Sequence, residues 1–312
     1  MRPVKPVRLR DFIEDTDGRL YAVSVYDNDQ KAGCVLRYVP DENGERMSSD
    51  GTRYKKYDFE QAFGYIRKYK PEYLDIVHRV PYDDIKRVLK PDEEIDKVTA
   101  RDKRVKKLAG IFGVPKGTYG CTGSLLCGLE NESSDIDMVV YGDFWFTAQK
   151  NLKMAVEEGR VGALSEDLWK KVYNKRVPEI DYDTFVLHEM RKWNRGEING
   201  TYFDLLFTRG YDRLNSVVVN KGKVCGKKTV EGMVTDASFS FDSPALYCID
   251  NPEVSKVLSF THTYSGQAKK GEVIEACGVL EDHGSEKWLI VGTTREAKGE
   301  YIISKTLIEN SS

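Results

Sequence analysis

The chain lacks the features that mark several large classes of protein. No run approaches the roughly 20 apolar residues that a membrane span needs, so no transmembrane helix is expected. The basic start, MRPVKPVRLRDF, is followed by IEDTDG rather than an apolar core, which argues against a signal peptide. Histidine is scarce, at four residues, and none of the six cysteines falls in a C-x-x-C pair. That spacing argues against a zinc cluster and predicts reduced packing thiols in a cytoplasmic protein. Net charge is nearly absent: 48 basic and 50 acidic residues leave −2. A polycationic coat or an acidic tail is thereby excluded, and any nucleic-acid surface must be a local patch. Internal repeats and low-complexity segments are missing as well.

What is present describes a soluble globular protein. Hydrophobic residues make up 40% of the 312, enough to build cores, and the length implies two or three domains. The pattern predicts an α/β (α+β) chain in three regions. Residues 1–95 read as a small α+β domain, with strands at 19–26 and 34–39, a polar loop at 41–53 and an Asp-capped helix at 58–69. A further strand and helix are expected up to breaks at Pro81 and Pro91. Residues 96–215 open with a helix over DKVTARDKRVKKLAGIFG, ended by Gly113 and Pro115. Strands at 118–122 and 135–142, amphipathic stretches near 144–158 and 163–175, a helix at 182–194 and a strand in TYFDLLF follow. Residues 216–312 carry SVVVN, KVLSFTHTYSG, EVIEACGVLE, KWLIVGTT and EYIISKTLI between short turns, the pattern of a β-barrel-like, OB-like domain.

The chemistry concentrates in GCTGSLLCG (120–128) followed by SDIDMVV (134–140). Met138, Val139 and Val140 argue that Asp135 and Asp137 sit on a buried strand. There i and i+2 share a face, about 6.5–7 Å apart along the chain. Two such carboxylates raise each other's pKa unless a divalent cation sits between them, and oxygen ligands suit Mg²⁺. Gly123 and Ser124 form a turn between strand and helix that exposes N–H groups and a hydroxyl, an arrangement suited to an anion. Gly128 is expected to allow close backbone approach. Asp204, the acid inside TYFDLLF, is the candidate for a third carboxylate. Asp181 and Asp183 also read D-x-D, but they precede a helical pattern and resemble a cap.

The order GS-x-x-x-G, a short gap, then SDID before apolar residues resembles the polymerase-beta superfamily of nucleotidyltransferases. The whole chain is also similar to uncharacterised archaeal predicted nucleotidyltransferases. The resemblance is specific over residues 120–140 and looser to about 207. It implies a nucleotidyltransferase core in which Gly123, Ser124 and Gly128 bind a nucleoside triphosphate. It further implies that Asp135, Asp137 and Asp204 hold two Mg²⁺ ions, with Mn²⁺ as a substitute. The reaction implied is transfer of a nucleoside monophosphate from a nucleoside triphosphate to an acceptor hydroxyl on RNA, protein or a small molecule, with release of pyrophosphate. The gap between Asp137 and Asp204 is longer than in minimal members and implies an insertion.

Beside this stands a second reading, a non-catalytic nucleotide- or RNA-binding protein that keeps the fold. Arg101, Lys103, Arg104, Lys106 and Lys107 read either as a solvated helix face or as a patch that tracks phosphates of an RNA acceptor. Arg191, Lys192 and Arg195 carry the same pair of readings. Phe260, His262, Tyr264 and Trp288 are either core residues or base-stacking aromatics. Cys121 and Cys127 are expected to pack rather than react.

Overall fold

A computed structural model of the chain describes residues 5–217, 220–293 and 298–311. The chain is mixed α+β and forms two compact units. One contains residues 1–162 and 194–216, the other 163–193 and 217–312. The first two regions read from the sequence therefore share one unit. The helices expected near 163–175 and 182–194 group instead with the C-terminal strands.

The first unit opens with β1 (Phe12–Asp15), β2 (Leu20–Val23), β3 (Lys31–Pro40), β4 (Arg46–Met47) and β5 (Arg53–Lys56). After α1 (Phe59–Tyr69) come β6 (His78–Pro81) and β7 (Ile85–Leu89). All seven strands pair antiparallel, in the order β4-β5-β3-β2-β1-β7, with β6 also on β3. Helix α1 begins where the sequence indicates. Asp58 accepts from the Gln61 N–H while the Gln61 side chain accepts the Asp58 N–H, satisfying two end donors reciprocally. The stretch before Pro91 was expected to be helical but is strand β7, because pairing with β1 outweighs local propensity.

Leu36 pairs with Tyr21 and Tyr38 with Leu20, so Arg37 is an extra residue in β3. The bulge changes which face the strand presents. Cys34 and Leu36 pack with Ile13, Tyr21, Ala62 and Ile66 on the α1 side. Tyr38 lies on the other side with Phe12, Leu20, Leu89, Leu126 and Leu129.

Pro91 starts a helix rather than breaking one, since its missing N–H is not needed in a first turn. Helix α2 (Pro91–Arg101) stops at Asp102, and α3 (Lys103–Phe112) begins there. The single helix expected over this stretch is split because Asp102 is extended (φ −122°, ψ 108°) and its carboxylate accepts from the Arg104 and Val105 N–H groups. Gly113, at φ +61°, ends α3 as expected. Next come β8 (Tyr119–Thr122), α4 (Gly123–Cys127), β9 (Ile136–Tyr141) and α5 (Phe144–Glu157). The chain then leaves for α6 (Glu166–Arg176) and α7 (Tyr182–Met190) and returns as β10 (Arg195–Ile198) and β11 (Thr201–Thr208). These strands form a sheet in the order β10-β11-β9-β8, with β9 and β11 parallel and the outer pairs antiparallel.

The second unit adds β12 (Lys223–Asp236), β13 (Ala245–Asp250), β14 (Lys256–Ser259), β15 (Val273–Asp282), β16 (Lys287–Val291), β17 (Tyr301–Ser304) and α8 (Lys305–Glu309) to α6 and α7. Because β12 pairs with both β13 and β15, the ring β12-β13-β14-β16-β15 closes into a five-stranded barrel, and β17 pairs on the outer part of β15. All pairs are antiparallel except β14 with β16. The expected strand SVVVN includes residues 218 and 219, which lie outside the described residues. Among the described residues no helix is long and apolar enough to cross a membrane.

Candidate functional site

The four-stranded sheet aligns a row of polar residues. Thr122 pairs with Asp137, Asp137 with Asp204, and Asp204 with Arg195. Paired residues on neighbouring strands point to the same face, with backbones about 4.8 Å apart. Asp137 and Asp204, which lie far apart in sequence, are therefore immediate neighbours. The parallel pairing of β9 with β11 does this, since an antiparallel return at the same positions would reverse the register.

Asp135 differs from expectation. Strand β9 begins at Ile136, so Asp135 precedes the ladder and is exposed. The loop before it is braced from another direction. Arg46 Nη1 donates to Leu129 O at 3.2 Å and to Ser134 Oγ at 3.0 Å. Ser134 Oγ also accepts from Asn131 N at 3.0 Å, closing a tight turn.

Gly123 begins α4 at φ +70°, and a Cβ there would come within 2.8 Å of Asp137 Oδ2. The glycine thus serves both a left-handed backbone and the close approach of the Asp137 carboxylate. Gly120 has a different constraint, since a Cβ on it would meet the Pro91 carbonyl carbon at 2.2 Å, where α2 begins against β8. Gly128 ends α4 at φ +68°, a backbone conformation that favours glycine, and a Cβ there would meet no other protein atom within 4 Å.

Asp204 is engaged on one oxygen. Tyr202 Oη donates to Oδ1 at 2.8 Å, and Arg195 Nε lies 3.6 Å from the same atom. Among the described residues no group of three or more His, Cys, Asp or Glu side chains is arranged to hold a metal ion. The donor set nonetheless suits a hard divalent cation. Asp137 and Asp204 supply only oxygen, and they are in register.

The other sequence candidates divide clearly. Arg101 is taken up by Glu130 and Leu125 O, and Arg104 by Asp102 and Thr201. Lys103, Lys106 and Lys107 remain exposed on α3. In the second unit, Arg191 holds Glu272 with two contacts of 2.8 Å, and buried Lys192 holds Glu189 and donates to Thr263 O. Both are structural cations, so the reading of this run as a substrate contact does not apply to them. Asp181 caps α7 by accepting from Thr184 N, as its position implied. Tyr264 and Trp288 are buried, while Phe260 is half exposed. Burial holds the Cys121 thiol well above its ordinary pKa, consistent with packing rather than nucleophilic chemistry.

Sequence reasoning missed the cations contributed by the N-terminal sheet. Arg46 pairs with Tyr54, and Lys56 pairs with Tyr38. Tyr38 and Tyr54 both pack in the cluster that contains Leu126 of α4 and Leu129. Arg46 and Lys56 therefore share the face of the sheet that packs against Leu126 and Leu129. Burial, with Arg37 and Arg46 nearby, lowers the Lys56 pKa, while Asp135 and Asp137 pull it upward. Nothing in the local sequence RMSSDGTRYKK announces this, because it depends on which face packs against α4.

No protein-family profile matches the chain, and no solved structure matches it. The chain is 39% identical to the uncharacterized protein MJ1086 of Methanocaldococcus jannaschii over an alignment of 334 residues. That alignment covers 95% of this chain and 98% of the relative. With near full-length coverage at that identity, the chain belongs to the same protein family as the archaeal protein MJ1086.

Proposed function

We propose that the first unit is a polymerase-beta-like nucleotidyltransferase that moves a nucleoside monophosphate from a nucleoside triphosphate to an acceptor hydroxyl. The observation that carries this reading is the register of Asp137 with Asp204 beside the Gly123–Ser124 segment. A divalent cation, Mg²⁺ or Mn²⁺, would be held by Asp137 and Asp204, with exposed Asp135 completing the set. When bound, it would supply charge neutralisation at the reacting phosphate.

The residues of the chain have separate tasks in this reaction. Ser124 and the backbone at Gly123 orient the polyphosphate. Asp204 uses Oδ1 to accept from Tyr202, which fixes the carboxylate and leaves Oδ2 to take the acceptor hydroxyl's proton. The hydroxyl oxygen forms the new bond to the α-phosphorus as the bond to the bridging oxygen breaks, and pyrophosphate departs with that electron pair. Exposed Lys103, Lys106 and Lys107 on α3 support an acceptor that carries phosphates, with RNA the favoured class. A closed five-stranded barrel in the second unit is also the architecture of OB-like nucleic-acid binders.

The test is incubation of the purified protein with Mg²⁺, each labelled nucleoside triphosphate in turn and total RNA. Asp137→Ala serves as the control. Label in RNA and released pyrophosphate are expected from the wild type alone. Turnover near wild type in Asp137→Ala would refute the mechanism. A second reading, a binding module without turnover, is favoured by the Arg195 and Tyr202 contacts that occupy Asp204 Oδ1. It would bind nucleotide in the same assay and release no pyrophosphate.

A further inference from the structure

The segment that joins α4 to β9 carries Asp135 at its far end, and it is tied down from two directions. Arg101, the last residue of α2, pairs with Glu130 at 2.9 Å and donates to Leu125 O. Arg46, on β4 of the N-terminal sheet, donates from Nη1 to Leu129 O at 3.2 Å and to Ser134 Oγ at 3.0 Å. One nitrogen thus ties the start of the turn to its end, and Ser134 is the residue before Asp135. The Ser134 hydroxyl is a hub. It also accepts from Asn131 N at 3.0 Å and donates to Asn131 Oδ1 at 3.2 Å. Tertiary packing delivers the guanidinium here, since Arg46 pairs with Tyr54 and Tyr54 packs on the cluster of Leu126 and Leu129.

A guanidinium is a costly means of closing a turn. Arg46 is 7% exposed, and among the described residues no carboxylate pairs with it. Its Nε is buried with no hydrogen-bond partner. A buried charge that meets only neutral acceptors is unfavourable by itself. The same charge also stands in the field of the site. Burial lowers the Lys56 pKa, Arg46 pushes in the same direction, and Asp135 and Asp137 push against it. A cation in that neighbourhood opposes the binding of a metal ion. What Arg46 holds, rather than the charge it carries, therefore accounts for its place. Strand β9 begins at Ile136, so Asp135 has no ladder to fix it, and the turn before it is its remaining constraint.

We propose that Arg46 is a positioning residue of the first unit: by fixing Ser134 it holds Asp135 where it completes a divalent-cation site with Asp137 and Asp204. This rests on the nucleotidyl-transfer reading for the identity of the bound ion, while the binding itself is measurable without turnover. Loosening the turn makes cation binding bear the entropy of ordering Asp135. The N-terminal sheet thereby acquires a task that its sequence does not announce, since a basic residue in a polar loop reads as solvated.

The test titrates the full chain with Mn²⁺ and follows the free ion by electron paramagnetic resonance, at a temperature where every variant is folded. Arg46→Met is expected to bind Mn²⁺ about tenfold more weakly, the usual effect of losing a residue that orients a metal ligand. The sign discriminates, because removal of a positive charge alone would tighten the binding. Ser134→Ala keeps the charge and removes the hub, and it is expected to weaken binding to a similar extent. In an Asp135→Asn background, Arg46→Met is expected to weaken binding no further, since Arg46 acts through Asp135. Arg8→Met removes another buried arginine of the same unit, one that pairs with Asp92 and stacks on Tyr141 and Tyr211. It is expected to lower the melting temperature and leave the Mn²⁺ affinity as in the wild type. Equal or tighter binding by Arg46→Met, an equal loss in both Asp135 backgrounds, or a matching loss in Arg8→Met would overturn the proposal. A wild type that takes up no Mn²⁺ would overturn it together with the transfer reading. Mn²⁺ uptake that depends on Arg46, without pyrophosphate release from a nucleoside triphosphate, would overturn the transfer reading alone.

Discussion

Lowering the pH from 7 to 5 should weaken the second unit more than the first. Each unit buries a neutral histidine. His188, in the second unit, has Nδ1 2.7 Å from Thr184 O and accepts the Ser304 N–H at Nε2 over 2.9 Å. His78, in the first, accepts the Leu36 N–H at Nδ1 over 3.1 Å. Burial lowers both from 6.5 to about 4. A ring with a folded pKa below its unfolded value costs nothing well above 6.5, and it destabilises progressively as pH falls from there towards 4. At pH 5 the linkage relation puts that cost at about 2 kcal/mol per histidine.

The first unit has an opposing group. Burial raises the Asp11 carboxyl from 3.8 to about 6, against the pull of Lys90 at 2.8 Å. Its favourable contribution is complete below 3.8 and is lost as pH rises through 6. Acidifying from 7 to 5 therefore returns about 1 kcal/mol to the first unit and offsets much of the His78 cost. Among the described residues of the second unit, Asp181, Glu253, Glu272 and Glu286 are held below the usual carboxylate range rather than above it, so they do not offset the His188 cost. Hydrogen exchange, corrected for the intrinsic pH dependence, should show the Ser304 amide losing more protection at pH 5 than the Leu36 amide. His188→Gln should flatten the dependence at Ser304. Equal protection of Ser304 at both pH values would refute the assignment of a neutral, buried His188 ring.

Two further substitutions probe the supports of the site. Gly123→Ala should cost about 1–2 kcal/mol for its left-handed backbone and push Asp137 Oδ2 aside, reducing stability and nucleotide transfer together. An unchanged melting temperature with full activity would contradict it. Arg46→Met should cost about 1.5–3 kcal/mol, because Leu129 O and Ser134 Oγ lose a charged donor. Exchange in residues 129–134 should rise, and unaltered protection there would show that the loop is held by other means.

The acidic residues of the site could be read from the chain because their neighbours are strand-forming. Met138, Val139 and Val140 announce β9, and TYFDLLF announces β11. The caps at Asp58 and Asp181 were legible for the same local reason, since an N-terminal acid satisfies donors only three residues away. The break at Asp102 was available in principle from that chemistry, but a continuous apolar stripe through 98–112 masked it. Asp135 was misread because apolar residues on one side indicate a strand without marking its first residue.

Local interactions thus determined where most helices and strands lie and which side chains carry oxygen ligands and basic charge. Proximity was decided elsewhere. A parallel return after a long excursion put Asp204 beside Asp137, and one additional residue in β3 put Tyr38 on the face opposite Leu36. Both depend on pairing between segments far apart in the chain. The period of a strand specifies alternate faces, but only its partners specify which face meets what.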